Sequence, residues 1–294
     1  MRGRIIRGIG GFYYVATEDA GIYACKARGI FRLLKTKPLV GDWVDISVTH
    51  EKDKEASITQ IFPRKNELIR PAAANVDQAM VLFAVKDPDP DGVLIDRFLT
   101  MMKMQSVPAF ICFNKLDLAG EDTIAHWKNV YRNSGYEILF CSAENNIGIE
   151  QLREKLQGKT TVIAGPSGAG KSSVTNLLQD HVMMETGEIS KKLGRGRHTT
   201  RHAELIMLNG ESYLCDTPGF TSLFLPDMKK EELETCFPEI DRYADQCRFV
   251  GCSHTAEPDC AVKNALREGK ISKERYHNYV MIYRELEEKE KRRY

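Results

Sequence analysis

Residues Gly165-Pro166-Ser167-Gly168-Ala169-Gly170-Lys171-Ser172 carry the G-x-x-x-x-G-K-S spacing of a loop that wraps a polyphosphate. Glycine lets the backbone curl so that several N–H groups point inward. Lys171 brings a point charge to the outer phosphates, and the Ser172 hydroxyl suits Mg2+. A nucleoside triphosphate with its Mg2+ is the expected ligand, contacted by Ala164, Gly165, Pro166, Ser167, Gly168, Ala169, Gly170, Lys171, Ser172 and Ser173. Earlier in the chain stands Asn114-Lys115-Leu116-Asp117, whose last carboxylate can accept from the N1–H and the exocyclic amine of guanine. Adenine lacks that pair of donors, so GTP is the expected nucleotide. Ser142-Ala143 adds a second approach to the base through the Ala143 amide and the guanine carbonyl oxygen, although alone the pair reads only as the start of a turn.

After the loop comes Asp216-Thr217-Pro218-Gly219, a D-x-x-G pattern that sets a carboxylate near Mg2+ and the Gly219 amide near the γ-phosphate. Between the two lies Arg195-Gly196-Arg197-His198-Thr199-Thr200, basic, glycine-bearing and without periodicity, as suits a switch segment that lends a threonine to Mg2+. Thr199 and Thr200 both qualify, and Thr200 is the assignment carried forward. Many GTPases place a water-orienting glutamine directly after D-x-x-G, but Phe220 stands there and cannot hydrogen-bond water. Slow intrinsic hydrolysis is therefore expected. His198 is the nearest polar candidate for the missing group, against the plainer reading of an exposed loop histidine.

Each motif sits where a parallel α/β sheet would deliver it. Thr161-Val162-Ile163-Ala164 is a short apolar strand run before the loop, and Lys171 to Leu178 has helical spacing after it, which opens a helix N-terminus toward phosphate. Ala109-Phe110-Ile111-Cys112-Phe113 ends in Asn114, Glu137-Ile138-Leu139-Phe140 leads to Ser142, and Glu211 to Cys215 leads to Asp216. Ras-like domains put the phosphate loop first and the guanine elements last. Here the guanine elements come first, so the domain is expected to be circularly permuted, a rearrangement that costs little where termini lie close together. The segment after Asp216 then runs straight into the C-terminal region, giving γ-phosphate loss a direct route to move it.

That region contains Cys247-x4-Cys252-x-His254-x5-Cys260, three thiolates and an imidazole, the donor set of a closed structural zinc site with one ion per chain. Two disulfides or scattered buried thiols are the competing reading, disfavoured because no secretory leader is read and a nucleotide-binding protein belongs in a reducing compartment. Cys236 is a possible substitute ligand. Cys25, Cys112, Cys141 and Cys215 lie in apolar strand-like runs and are expected in cores.

The 294 residues suggest two or three domains, and the apolar runs are far too short to span a bilayer, so a cytoplasmic monomer is expected. The net charge of +1 conceals an uneven start: residues 1–40 hold eight Lys/Arg against Glu18 and Asp19. Within residues 1–65, six short runs, at 4–7, 11–15, 21–25, 30–34, 43–48 and 56–61, suit a five-stranded OB-type barrel in which two early runs form one bent strand. Its basic residues beside Phe12, Tyr13, Tyr14, Tyr23 and Phe31 suit RNA binding, against a plain charged face over inward aromatics. A GTPase domain over 66–226 and a helical zinc-binding domain over 227–294 complete the expected order, the last helix spanning about 272–290 with Tyr276, Val280, Tyr283 and Leu286 on one stripe.

Barrel, permuted GTPase and Cys-x4-Cys-x-His-x5-Cys segment together resemble the RsgA family of small ribosomal subunit biogenesis GTPases over essentially the whole chain. The resemblance implies a GTP-hydrolysing factor that binds the small subunit and its rRNA late in assembly, is stimulated by it, and leaves after hydrolysis to GDP. It carries guanine recognition onto Asn114, Lys115 and Asp117, phosphate binding onto Gly165 through Ser173, and zinc onto Cys247, Cys252, His254 and Cys260. The chain departs from the family where Arg201 replaces a third threonine after His198-Thr199-Thr200. Competing readings are an ATPase or small-molecule kinase, which has no use for Asn-Lys-x-Asp, a nucleic-acid-binding regulator without turnover, and a permuted GTPase acting on the large subunit or another structured RNA.

Overall fold

The computed structural model describes residues 1–18, 21–33, 36–69, 72–179, 203–216, 223, 225 and 227–292. Alternating apolar positions at the start of the chain form β1 (Arg2–Ile9), β2 (Phe12–Thr17), β3 (Gly21–Ala27), β4 (Trp43–His50) and β5 (Glu55–Ile61). β1 pairs antiparallel with β2 and β4, β2 with β3 and β4 with β5, while β3 runs parallel to β5, so the five strands close on themselves. Closure removes the sheet edges, and Ile5, Val15, Tyr23, Cys25, Val44, Ile46 and Ile58 fill the interior.

The run at 30–34 is not a strand. Ile30–Leu33 forms the single helical turn α1, and its Phe31 packs into the barrel core, so β1, β2 and β3 stand as separate strands without the expected bent fusion. A short apolar run does not reveal its own period, and here one aromatic reaching the core fixes the helix. The aromatic patch divides accordingly. Tyr23 is wholly buried and donates from its hydroxyl to Glu51 at 2.8 Å, and Phe31 is core, whereas Phe12 stays exposed with the Lys26 ammonium 5.1 Å above its ring. Arg4 also leaves the expected basic face. It is buried, donates to Thr160 Oγ1 at 2.7 Å and to the carbonyls of Gly41 and Asn75, and lies 4.5 Å over the Tyr213 ring.

Two compact units emerge, one of Met1–Met80, Ile149–Ala164 and Lys171–Gly219, the other of Val81–Gly148, Gly165–Gly170 and Phe220–Tyr294. A two-residue ribbon of β6 (Glu67–Leu68) and β7 (Ala73–Ala74) follows the barrel, and β8 (Gln78–Ala84) begins in the first unit and continues in the second. The first unit also holds α4 (Ile149–Leu156), β11 (Thr160–Ala164), α5 (Lys171–Gln179), β12 (Glu204–Asn209) and β13 (Ser212–Asp216). There β11 lies parallel to β13, β13 antiparallel to β12, and β12 meets β1 at Arg7 and Glu204. Arg4 thereby bridges barrel and α/β sheet through one guanidinium.

In the second unit β8 is followed by α2 (Gly92–Met104), β9 (Ala109–Asn114), α3 (Glu121–Val130) and β10 (Ile138–Phe140), in sheet order β10-β9-β8. β8 and all but the first residue of β9 are buried, as expected of parallel strands covered on both faces. The Asp91 side chain caps α2 by accepting from the Leu94 N–H at 3.1 Å. Beyond residue 227 come a 3-10 helix (Lys230–Cys236), α6 (Pro238–Ala244), α7 (Ala261–Arg267) and α8 (Lys273–Lys291), with Leu233, Phe237, Ile240, Val262, Tyr279 and Ile282 at the centre of their core. The stripe of α8 turns further round than expected. Tyr283 and Leu286 are buried, but Tyr276 and Val280 only flank the core, and Arg275, Asn278, Tyr279 and Ile282 complete the buried face.

Arg275 is the largest fully buried side chain among the described residues. Its Nε and Nη2 donate to the two Glu239 oxygens at 2.6 and 3.1 Å, Nη1 pairs with Asp96, and the guanidinium lies 4.4 Å over Phe237. Asp96 also accepts from Asn278 Nδ2 at 2.7 Å and from the Tyr131 hydroxyl at 2.9 Å. Burial alone would lower the Arg275 pKa, but the two carboxylates outweigh it and raise it, while burial pushes the Asp96 carboxyl up against the pull of Arg275. This network joins α2, α6 and α8, and every polar partner in it is used.

Candidate nucleotide and metal sites

The loop at 165–170 lies against the end of β8. A Cβ on Gly165 would come within 2.0 Å of the Leu82 carbonyl oxygen, so the loop fits only if that position has no side chain. Gly170 has φ +87°, and a Cβ there would meet Asn114 Nδ2 at 2.2 Å. The close approach has a purpose. Asn114 Nδ2 donates to the Ala169 carbonyl at 3.0 Å, while Asn114 Oδ1 accepts from the Ala143 N–H at 3.0 Å. One buried amide therefore uses its donor end on the phosphate loop and its acceptor end on the Ser142-Ala143 loop, two separate atoms of one planar group.

The other sequence-assigned guanine residues surround it. Lys115 takes a left-handed φ of +61°, its Nζ contacts the Asp87 carbonyl, and Leu116 N–H donates to the Cys141 carbonyl at 3.0 Å. Asp117 lies in a 3-10 turn with its side chain exposed and accepts from the buried Ser142 hydroxyl, which also accepts from the Asn145 N–H at 3.1 Å. Serine thus holds the carboxylate in place from below and leaves its outer face for a ligand. Cys141 was expected only as core. It is buried 3.7 Å from the Cys112 sulfur, and its thiol also lies 3.6 Å from Asn114 Oδ1 as a weak donor. Its position directly before Ser142 is the only sequence signal for that second part.

Lys171, Ser172 and Ser173 open α5 in the first unit, the two serines exposed. Burial draws the Lys171 ammonium below its ordinary pKa, while the Asp216 carboxylate at the end of β13 pulls the other way. A cation partly stripped of water beside one carboxylate is prepared for a polyanion. Ala164 ends β11, and Pro166, Ser167 and Gly168 form the loop itself, with Ser167 and Gly168 exposed. His198, Thr199, Thr200, Arg201, Gly219 and Phe220 lie outside the described residues.

The metal ligands come from a single stretch of chain. The donor atoms of Cys247, Cys252, His254 and Cys260 all fall within 4.8 Å of one another, and this is the one such group among the described residues. His254 Nδ1 lies 3.5 Å from the sulfurs of both Cys247 and Cys260, and those sulfurs are 3.8 Å apart. The remaining imidazole nitrogen, Nε2, meets Glu234 Oε2 at 3.0 Å, the outer partner that fixes the tautomer of a metal-binding histidine. Tyr276 and Tyr279 donate to the carbonyls of His254 and Ser253, which ties the loop to α8. Burial pushes the Cys252 thiol up to about 12, with the neighbouring thiols adding to it; Cys252 and Cys260 are buried and Cys247 is half-buried. These residues fit a tetrahedral metal ion. Cys236 is buried elsewhere, its sulfur near the Glu232 carbonyl.

Comparison with known proteins gives a consistent picture. The RsgA GTPase family matches residues 61–226, and the RsgA N-terminal domain matches residues 2–58. A protein of Agathobacter rectalis named small ribosomal subunit biogenesis GTPase RsgA is 51% identical over 99% of this chain and 100% of its own length. A protein of the same name from Alkaliphilus metalliredigens is 48% identical over 100% of this chain and 99% of its own. Among solved structures, YloQ, described as a circularly permuted GTPase, superposes with a TM-score of 0.77 at 38% identity, covering 98% of this chain and 95% of that one. YjeQ from Thermotoga maritima gives 0.78 at 36% identity, covering 97% and 98%.

Proposed function

Since the chain belongs to the RsgA family, and is a GTPase with an OB-type barrel and a circularly permuted GTPase fold, we propose that it binds the small ribosomal subunit late in its assembly, hydrolyses GTP there under stimulation by the subunit, and leaves with GDP. We read residues 1–65 as the rRNA-facing barrel, 66–226 as the GTPase domain and 227–294 as a zinc-bearing helical domain, in a cytoplasmic monomer. Among the described residues no helix is long and apolar enough to cross a membrane. Asn114 is the observation that carries the nucleotide assignment, because its single amide couples the phosphate loop to the Ser142-Ala143 loop.

On this reading Asp117, held by Ser142, accepts from the N1–H and N2 amine of guanine, and the Ala143 region approaches the guanine carbonyl oxygen. Backbone N–H groups between Gly165 and Ser173, Pro166 excepted, hold the phosphates together with the Lys171 ammonium. Ser172 and Thr200 hold Mg2+, with the Asp216 carboxylate near it, and the ion would neutralise phosphate charge when bound. Hydrolysis requires a water in line with the γ-phosphate, and we assign its orientation to His198, beside Thr199 and Thr200, with the small subunit as the activating partner. The Gly219 amide accompanies the γ-phosphate. Cys247, Cys252, His254 and Cys260 hold one zinc, whose chemistry is structural because four protein ligands leave no open position.

Sedimentation with separated ribosomal subunits and a non-hydrolysable GTP analogue tests the reading. Cosedimentation with small subunits and not with large ones is the expected result, steeply weakened by salt because phosphate contacts release counterions. Equal or preferential pelleting with large subunits contradicts it.

A further inference from the structure

Between the ligands Cys247 and Cys252 the chain forms a short apex, Arg248-Phe249-Val250-Gly251, whose side chains have no role in the metal cluster. Val250 is fully exposed and Phe249 is 43% exposed, an adjacent pair of large apolar residues presented to water. Gly251 turns the apex with φ +71°, and both ends are fixed by ligands of the same cluster, so the tip is displayed on a short, clamped support. Exposed apolar side chains held rigidly on a protrusion have the character of an anchor that fills a partner's recess at little entropic cost.

Charge decides the class of partner. Arg248 is paired with Asp259 at 2.7 Å, and residues 241–260 hold Asp241, Asp245, Glu257 and Asp259 against Arg242 and Arg248. Burial alone would raise the Glu257 carboxyl, but hydrogen bonds from the Ser253 hydroxyl and from backbone N–H groups outweigh it and bring it down to about 2, so it stays ionised. Three thiolates around one divalent ion would add a further negative charge. The stretch that carries the apex is therefore net acidic, which disfavours a phosphate backbone and suits a protein surface whose basic rim surrounds an apolar recess.

We propose that Phe249 and Val250 form a protein-docking tip that engages a basic ribosomal protein on the small subunit, separate from any rRNA contact made by the barrel. The proposal rests on the small subunit being the partner. The test uses purified small subunits and the full chain with a non-hydrolysable GTP analogue. A benzophenone-bearing amino acid at position 250 should give, on irradiation, an adduct with a ribosomal protein identifiable by mass. In parallel, the double substitution Phe249→Ser and Val250→Ser should weaken cosedimentation about tenfold, as expected for losing a small apolar anchor, while zinc content and GTP binding stay at wild-type levels. Adducts on rRNA, no adduct while the protein still pellets, or undiminished pelleting of the double variant each overturn the tip alone. Failure of the wild type to pellet with small subunits removes the functional reading and the tip with it.

Discussion

The nucleotide site and the metal cluster of the second unit are built in opposite ways. Around Asn114, four stretches far apart in sequence, at 82–88, 114–117, 141–143 and 165–170, meet through backbone carbonyls and amides that are already paired. At the cluster, one stretch from Cys247 to Cys260 brings three sulfurs and an imidazole together, with two sulfurs 3.8 Å apart. The first arrangement is supported by a parallel sheet and persists whatever is bound; the second needs an ion to justify the company its side chains keep. Damage to the first should therefore cost function and spare the fold. Damage to the second should cost the fold of its own region and spare GTP binding.

The largest effect is expected at the metal. Cys252→Ser, or stripping zinc from the wild type with chelator, should unfold the region around α6 and α7, because the roughly 10–16 kcal/mol that structural zinc brings to small domains is folding energy. Limited proteolysis and elemental analysis check this, with about one zinc per intact chain and GTP binding largely kept. Zinc-free protein with unchanged protease resistance would erase the contrast.

Next in size is Arg275→Met, which strands Asp96 and Glu239 in the interior. A cost of about 3–5 kcal/mol is expected in denaturant unfolding, since an uncompensated buried charge is left behind. Its pH dependence has a definite sign. With Arg275 gone nothing of its charge opposes the burial that already raises the Asp96 carboxyl, so its folded-state pKa lies above its unfolded value and the folded chain binds a proton that the unfolded chain has released. The deficit should therefore shrink as pH falls from 8 toward 5, and a deficit that grows over that range would contradict the assignment.

Smaller still is Asp117→Asn, which on the proposed assignment replaces the acceptor for two guanine donors with an amide and should weaken GTP binding by about 1–3 kcal/mol with no change in melting temperature. Calorimetry and thermal unfolding on one preparation separate the two effects. Ser142→Ala sharpens the comparison at its lower limit. It removes only the hydroxyl that holds Asp117 and should cost about 1 kcal/mol in GTP affinity, again without a stability change of that size. A loss of fold in either variant would mean that the nucleotide site is not the independent scaffold described.

What the sequence revealed follows the same division between local and distant. The phosphate loop, Asn114 through Asp117 and the Cys-x4-Cys-x-His-x5-Cys spacing are short, contiguous patterns whose chemistry depends on neighbours in the chain, and they were legible. Arg275 was not, because its partner Asp96 is 179 positions away and a charged residue on a charged helix reads as surface. Arg4 misled in the same way: a basic residue in a basic terminus became a buried bridge to Thr160, 156 positions on. Strand alternation gave the barrel but not its inward face, so Tyr23 looked as available as Phe12 until closure buried one and exposed the other. Glu234 illustrates a third kind of gap, an outer partner of His254 supplied by a helix that carries no metal motif.

Single-turnover phosphate release, followed with and without purified small ribosomal subunits at low salt, tests the central claim most directly. Phe220 cannot orient water, so slow release is predicted for the chain alone, with acceleration by orders of magnitude on adding small subunits and none on adding large ones. A rate unchanged by small subunits that the protein demonstrably binds would contradict the account.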